Sequence, residues 1–354
     1  MNYQEELKDL IETVVKQGAS DLHISSLRHP TIRVNRDLLP LVQKPVLTAE
    51  DSRGLVLELL GPEDRERLLR DKDLDFAYSL PDGTRFRGNA FFQKGHLGAA
   101  LRLIPAKIKK LDELNLPPIL RDFAFKEQGF FLTVGPVGQG KSTTLAAMVE
   151  LINHERAEHI ITIEDPIEYL FTEDKSIIDQ REVGFDTKDF ATALRAMFRE
   201  DANVGMIAEM RDIETIAAAV TAAETGHLIF STLHTNNAAQ TIDRVIDTFP
   251  GDQQEQIRLQ LSNSLLAIFS QRLIPRISGG LIPAYELLIN NYAVGNLIRE
   301  SRTSEITSVL ETSAEEGMVS MNQSLADLVR RGEITQENAF KYSLNPEALQ
   351  RRFT

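Results

Sequence analysis

Apolar positions along the chain follow two regimes. The first runs to about residue 104 and mixes amphipathic helices with alternating strands. Residues 4–17 place Leu7, Leu10, Ile11, Val14 and Val15 at helical spacing and stop at Gly18. Residues 20–25 and 31–34 alternate like half-buried strands, and residues 51–70 read as helix interrupted around Gly61-Pro62. Residues 74–80, 85–93 and 98–104 then read as three antiparallel strands, joined by the hairpin turns Pro81-Asp82-Gly83 and Lys94-Gly95-His96. Helices with an antiparallel sheet make this a smaller α+β domain over residues 1–105.

After a Pro- and Lys-bearing connection over residues 106–118, the second regime fills residues 119–354. Short, unbroken apolar runs alternate with helical stretches, the signature of a doubly wound parallel sheet in an α/β domain. Strands are expected at residues 130–134, 159–163, 204–208 and 228–233. Helices are expected at 142–153, 187–199, 214–223, 238–247 and 253–273, with a mostly helical remainder broken at Gly317 and Gly332.

At the first of these strand-to-helix junctions stands Gly135-Pro136-Val137-Gly138-Gln139-Gly140-Lys141-Ser142, followed by Thr143. It matches G-x-x-x-x-G-K-[ST], and its strand–loop–helix setting is the one the phosphate-binding loop requires. Glycines let the backbone wrap close to phosphate oxygens, with the helix N-terminus behind them. Lys141 is expected on the β- and γ-phosphates of ATP and Ser142 directly on Mg²⁺.

In such sheets ligands sit beyond the carboxyl ends of the strands. Three other strands end there in Glu164-Asp165-Pro166, Glu209-Met210-Arg211-Asp212 and His234-Thr235. One such acid is more often a helix cap or a solvated loop residue; their coincidence with a phosphate loop points to phosphoryl chemistry. Glu209 is the candidate for orienting the attacking water, with Glu164 or Asp165 reaching Mg²⁺ through its waters. His234 stands where a γ-phosphate sensor would, and His227 at the start of the same strand reads equally as a core histidine.

Composition narrows the picture further. The chain of 354 residues has no cysteine, which leaves no disulfide or cysteine-bound zinc, and a net charge of −13, which argues against a broad nucleic-acid footprint. No apolar run approaches the roughly 18 residues of a membrane span, and no signal peptide is read at the N-terminus. A soluble, cytoplasmic protein is expected.

The set GPVGQGKST, ITIEDPIEY, EMRD, TGHLIFSTLHT, SQRLIP and NLIRE, with GASDLHI near the start and GMVSMNQSLADL near the end, resembles the type IV pilus retraction ATPases. These form the PilT and PilU branch of the bacterial secretion ATPases, and the likeness spans essentially the whole chain. It implies a PAS-like N-terminal domain followed by a RecA-like P-loop NTPase domain. It also implies a homo-hexameric, Mg-ATP-driven motor, peripheral at the cytoplasmic face of the inner membrane and working on a pilus platform protein, with a paralogous retraction ATPase as a further partner. By matching motifs, Lys141 and Ser142 are Walker A, Glu164 lies in the Asp box, Glu209 is the Walker B glutamate that also meets Mg²⁺ through water, and His227 and His234 lie in the His box. Arg87 and Arg102, fifteen residues apart, match the arginine fingers that the family supplies from the N-terminal domain. Asn203-Val-Gly-Met-Ile-Ala208 and Ala293-Val-Gly-Asn-Leu-Ile-Arg-Glu300 depart from the family text, and SQRLIP is closer to the accessory PilU form. Hexameric DNA translocases share the motor architecture, but no basic, aromatic-laced segment supports that reading.

Overall fold

The computed structural model describes residues 2–34, 37–81, 83–104 and 107–353. Asp82 in the expected turn and Pro105 and Ala106 at the expected domain boundary lie outside them. The chain divides into two units, Met1–Lys107 and Ile108–Thr354. Residues 108–118, read from the sequence as connection, belong to the second unit, where Leu116 is buried in the core. Among the described residues no helix is long and apolar enough to cross a membrane.

The first unit opens with the helix Tyr3–Lys16, capped by the Asn2 side chain. Six strands follow: β1 (Asp21–Ile24), β2 (Thr31–Val34), β3 (Asp37–Pro40), β4 (Asp73–Ser79), β5 (Arg85–Gln93) and β6 (His96–Ile104). They form one antiparallel sheet in the order β3-β2-β1-β6-β5-β4, in which five strands were expected and β3 was not. The helices Ala49–Glu58 and Pro62–Asp71 lie between β3 and β4 in the chain. Leu10, Ile11, Leu22, Leu55, Phe86 and Leu101 share its core. Side chains alternate across a pleated sheet, so one register row on the other face reads Arg33, Asp21, Arg102, Arg87 from β2 to β5.

The second unit carries β7 (Gly129–Val134), β8 (His159–Glu164), β9 (Ile177–Glu182), β10 (Val204–Ile207), β11 (Leu228–Leu233), β12 (Leu265–Pro275) and β13 (Leu281–Ile289). Their order is β13-β12-β7-β11-β10-β8-β9, parallel throughout except for the edge pair β12–β13. Alternate residues of the buried strands face opposite cores. Phe131, Phe230 and Phe269 pack with Leu145, Met148 and Ile152 of the helix Lys141–Glu155. Phe130, Leu132 and Ile229 pack on the other side with Leu194, Ile216 and Val220.

Two expectations fail here. The helix expected over 253–273 ends at Ser264, and Leu265 starts an eleven-residue strand. The largely helical C-terminal remainder also contains β13. Periodicity cannot separate a buried strand from a buried helix when almost every position is apolar. Here β12 is inserted between β7 and β13, and its residues are buried on both faces. β9 escaped notice because it is an edge strand with polar Asp179, Gln180, Arg181 and Glu182.

Candidate functional site

β7 delivers the chain into the phosphate loop at Gly135, whose φ is +147°. A side chain there is barred twice: by the backbone and by space, since a Cβ would sit 2.5 Å from the Gln271 carbonyl oxygen. The helix Lys141–Glu155 begins after Gly140, itself at φ +81°, with no side-chain cap. The nearby helices starting at Phe190, Ile213 and Ala238 are capped by Asp189, Asp212 and Asn237. The uncapped N–H groups behind the loop are therefore free for an anion.

Lys141 folds back over the loop. Its Nζ donates to the carbonyls of Gly135 at 2.9 Å and Pro136 at 3.1 Å, and lies 3.1 Å from His234 Nδ1. Burial pulls its pKa down to about 8, with the charges of Glu209 and Glu168 opposing the fall. His234 follows β11 directly and turns its other nitrogen to Glu209, with Nε2 3.3 Å from Oε1. The second Glu209 oxygen accepts from Arg211 Nη2 at 2.7 Å. Burial would raise the Glu209 pKa, but Arg211 and His234 hold it below the usual carboxylate value. Lysine, histidine and glutamate from three parallel strand ends thus form one chain of contacts along a cavity.

Glu164 ends β8 at only 4% exposure. Its Oε1 accepts from Thr162 Oγ1 at 2.6 Å and Gln180 Nε2 at 3.1 Å, and its Oε2 from the Glu168 N–H at 3.4 Å. Desolvation outweighs these donors and lifts its pKa to about 7. Glu164 lines the cavity, but both its oxygens already have donors within the protein.

Val137, Gly138, Lys141, Ser142, Glu164, Glu209 and His234 line one cavity. Gly135, Pro136, Gln139, Gly140 and Thr143 frame the loop rather than the cavity wall, and Thr143 Oγ1 meets Tyr169 Oη at 2.8 Å. His227 does not join them. It lies at the other end of β11, with Nδ1 3.1 Å from the Ala222 carbonyl and its ring edge-on to Phe198. Arg87 and Arg102 are in the first unit, cross-strand neighbours on β5 and β6. Arg102 Nε donates to Asp21 Oδ1 at 2.9 Å while its side chain stays 67% exposed.

Sequence reasoning missed Glu168 and Arg211, which also line the cavity. Glu168 stands four residues after Glu164 in the same motif, so the signal was present; what was absent was the knowledge that β8 ends by burying the first acid and leaving the second exposed.

The residues fit a magnesium ion held mostly by others. Among the described residues no cluster of three or more His, Asp or Glu side chains could hold an ion. The Ser142 hydroxyl and the Glu209 carboxylate border the cavity, and Mg²⁺ characteristically takes few protein ligands together with water and substrate phosphates.

Residues 3–280 match the family model described as type II/IV secretion system protein. The chain is 41% identical over 342 residues to the type IV pilus retraction ATPase PilT of Pseudomonas aeruginosa, covering 97% of this chain and 99% of that one. It is 40% identical over 339 residues to the type IV pilus ATPase PilU of the same organism, covering 96% and 88%. A crystal structure of the pilus retraction motor PilT with bound ADP superposes with a TM-score of 0.91 at 45% identity, covering 97% of this chain and 98% of that one.

Proposed function

The chain belongs to the type II/IV secretion system family, and from that premise we propose that it is a motor ATPase that powers retraction of type IV pili. The observation that carries this reading is the convergence of Lys141, His234 and Glu209 on one cavity behind an uncapped helix start, in a chain related over nearly its full length to a retraction motor. The larger unit is a RecA-like P-loop domain. Coverage of nearly all of the PilT relative, against less of the PilU relative, supports the retraction motor over its accessory paralogue.

The phosphates of ATP lie on the loop, drawn by its N–H groups and the open helix N-terminus. Lys141 exchanges its carbonyl contacts for phosphate oxygens. Ser142 directly and Glu209 through water would hold Mg²⁺, which would supply the charge that neutralises the phosphates. Glu209 stays ionised because Arg211 and His234 oppose the effect of burial, which suits it to orient the attacking water. His234, already between Lys141 and Glu209, reports phosphate occupancy. Glu164 braces the wall of the site instead of meeting the ion. Arg87 and Arg102 act on the nucleotide of a neighbouring subunit in a homo-hexameric ring, with Asp21 fixing one side of the Arg102 guanidinium. The ring works at the cytoplasmic face of the inner membrane against a pilus platform protein, with a paralogous ATPase as a second partner.

The test is a strain lacking the gene. The wild-type chain restores twitching and pilus shortening, while Lys141→Ala does not and its purified protein hydrolyses no ATP. Hydrolysis that depends on added DNA, with pili shortening normally in the deletion strain, would replace this reading with a nucleic-acid translocase.

A further inference from the structure

Gln271 and Arg272 are neighbours on β12, the strand sequence reading took for helix, and they grip two different parts of the site. Gln271 holds the phosphate loop. Its Oε1 accepts from Thr144 Oγ1 at 2.7 Å and its Nε2 donates to the Gln139 carbonyl at 2.8 Å. Gln139 returns the contact, its Oε1 accepting from the Leu273 N–H at 2.8 Å.

Arg272 holds the segment after His234. Its Nη2 donates to the Asn236 carbonyl at 3.0 Å and to Asn236 Oδ1 at 3.1 Å, and its Nη1 donates to the Gln271 carbonyl at 3.0 Å. Ser270 Oγ donates to the same Asn236 carbonyl at 3.0 Å. Two residues on, the Ala238 N–H donates to Glu286 Oε1 of β13 at 2.8 Å. Arg272 is only 6% exposed, does not line the nucleotide cavity, and forms no ion pair within 4 Å among the described residues. Its hydrogen-bond acceptors are all neutral oxygens, with the buried Glu286 carboxyl as an opposing charge at longer range, and such a buried cation is costly relative to an apolar side chain of similar size. Its rigid planar fork, by contrast, aims donors at three acceptors at once, a geometry that a lysine ammonium does not reproduce.

We infer that Gln271 and Arg272 form a clamp that sets the position of His234 relative to the phosphate loop, with Arg272 acting through His234 as a positioning residue for hydrolysis. The inference rests on the ATPase reading and on the role given there to His234.

Arg272→Lys keeps the buried charge and loses the fork. It is expected to lower kcat by about 10- to 100-fold while ADP affinity, read with a fluorescent ADP analogue, changes by less than about 3-fold. In a His234→Ala background the same substitution is expected to add less than about 2-fold, because its effect passes through the missing ring. Asn236→Ala is the second arm, removing one acceptor and leaving the cation; a loss of about 3- to 10-fold is expected, again absent in His234→Ala. Thermal melts accompany each variant. If Arg272→Lys does not fold, the Asn236→Ala pair alone decides.

Equal losses in both backgrounds, a loss mainly of ADP affinity, or unchanged turnover in wild-type background would each overturn the clamp. A His234→Ala protein with full turnover would overturn the role of His234 and the clamp with it. A wild-type protein without ATPase activity would sink the functional reading itself, an outcome distinct from all of these.

Discussion

Glu164 ends β8 and Glu209 lies just beyond β10, adjacent parallel strands, at the carboxyl end of one sheet. Both border the same cavity, yet their surroundings drive them apart. Glu164 is almost fully buried and receives only neutral donors, and burial lifts its pKa to about 7. Glu209 is partly buried too, but Arg211 at 2.7 Å and His234 at 3.3 Å hold it ionised. The rule that polar residues after buried strands serve the ligand is right about place and silent about charge. Charge depends on which partners other strands supply. Pairs of acids pushed in opposite directions are how one site separates a structural or proton-holding group from an ionised one.

The largest expected effect is on turnover. Glu209→Gln removes the ionised group proposed to orient water and should cost about 10³-fold or more in kcat, with nucleotide affinity close to wild type. Glu164→Gln replaces a carboxyl that burial leaves partly protonated near pH 7 and whose oxygens are bonded within the protein, and should cost less than about 10-fold. Steady-state hydrolysis and ADP binding on both variants check the contrast. Equal losses would mean that Glu164 is ionised during the reaction and that the comparison is wrong.

A second experiment asks what completes the charge around Glu209. If Arg102 serves a neighbour, Arg102→Ala and Glu209→Gln proteins, each impaired alone, should recover activity when mixed, because some interfaces in mixed rings carry neither defect. Removing an arginine finger costs about 10³- to 10⁵-fold in other NTPases; with Arg87 beside it, the single loss here should be smaller. No recovery, with subunit exchange verified by a labelled chain, would leave Arg102 as a surface arginine paired with Asp21.

Much of this site could be read in advance, for physical reasons. β7, β8, β10 and β11 are short apolar runs bounded by turn residues, and the glycine loop has one mechanical meaning between a strand and a helix. The rest needed tertiary information. β12 is apolar without a period, so its identity came from the strands on either side of it. β9 is polar because it is an edge. His234 read as a sensor and His227 equally as a core histidine, and the fold separates them: they bracket β11, seven residue steps or about 23 Å apart at the usual rise per residue. The arginine row of the first unit is a matter of register: Arg87 and Arg102 are opposite each other only because β5 and β6 form a tight hairpin through Lys94-Gly95.

The smallest effect sharpens the comparison most directly, because it reads the charge of Glu164 without any catalytic step. Its carboxyl has a pKa near 4.5 when unfolded and about 7 in the folded protein. Between those values the folded state binds the extra proton, so stability falls as pH rises from about 4.5 and the loss is complete above about 7. Glu164→Gln has no proton to lose. The melting temperature of the variant relative to wild type should therefore be nearly constant below about pH 4.5, climb in the variant's favour from about pH 4.5 to 7, and level off above that. A destabilisation of roughly 1–3 kcal/mol is expected for a shift of this size in a buried group, or several degrees for a unit of this length. Other groups that titrate in this range are common to both proteins and cancel in the difference. Glutamine keeps the shape and the acceptor for Thr162 and Gln180, so a constant offset in the melts would report only the altered contact to the Glu168 N–H. A difference that does not change with pH would mean that Glu164 is ionised in the folded protein, and the contrast with Glu209 would collapse to one of exposure alone.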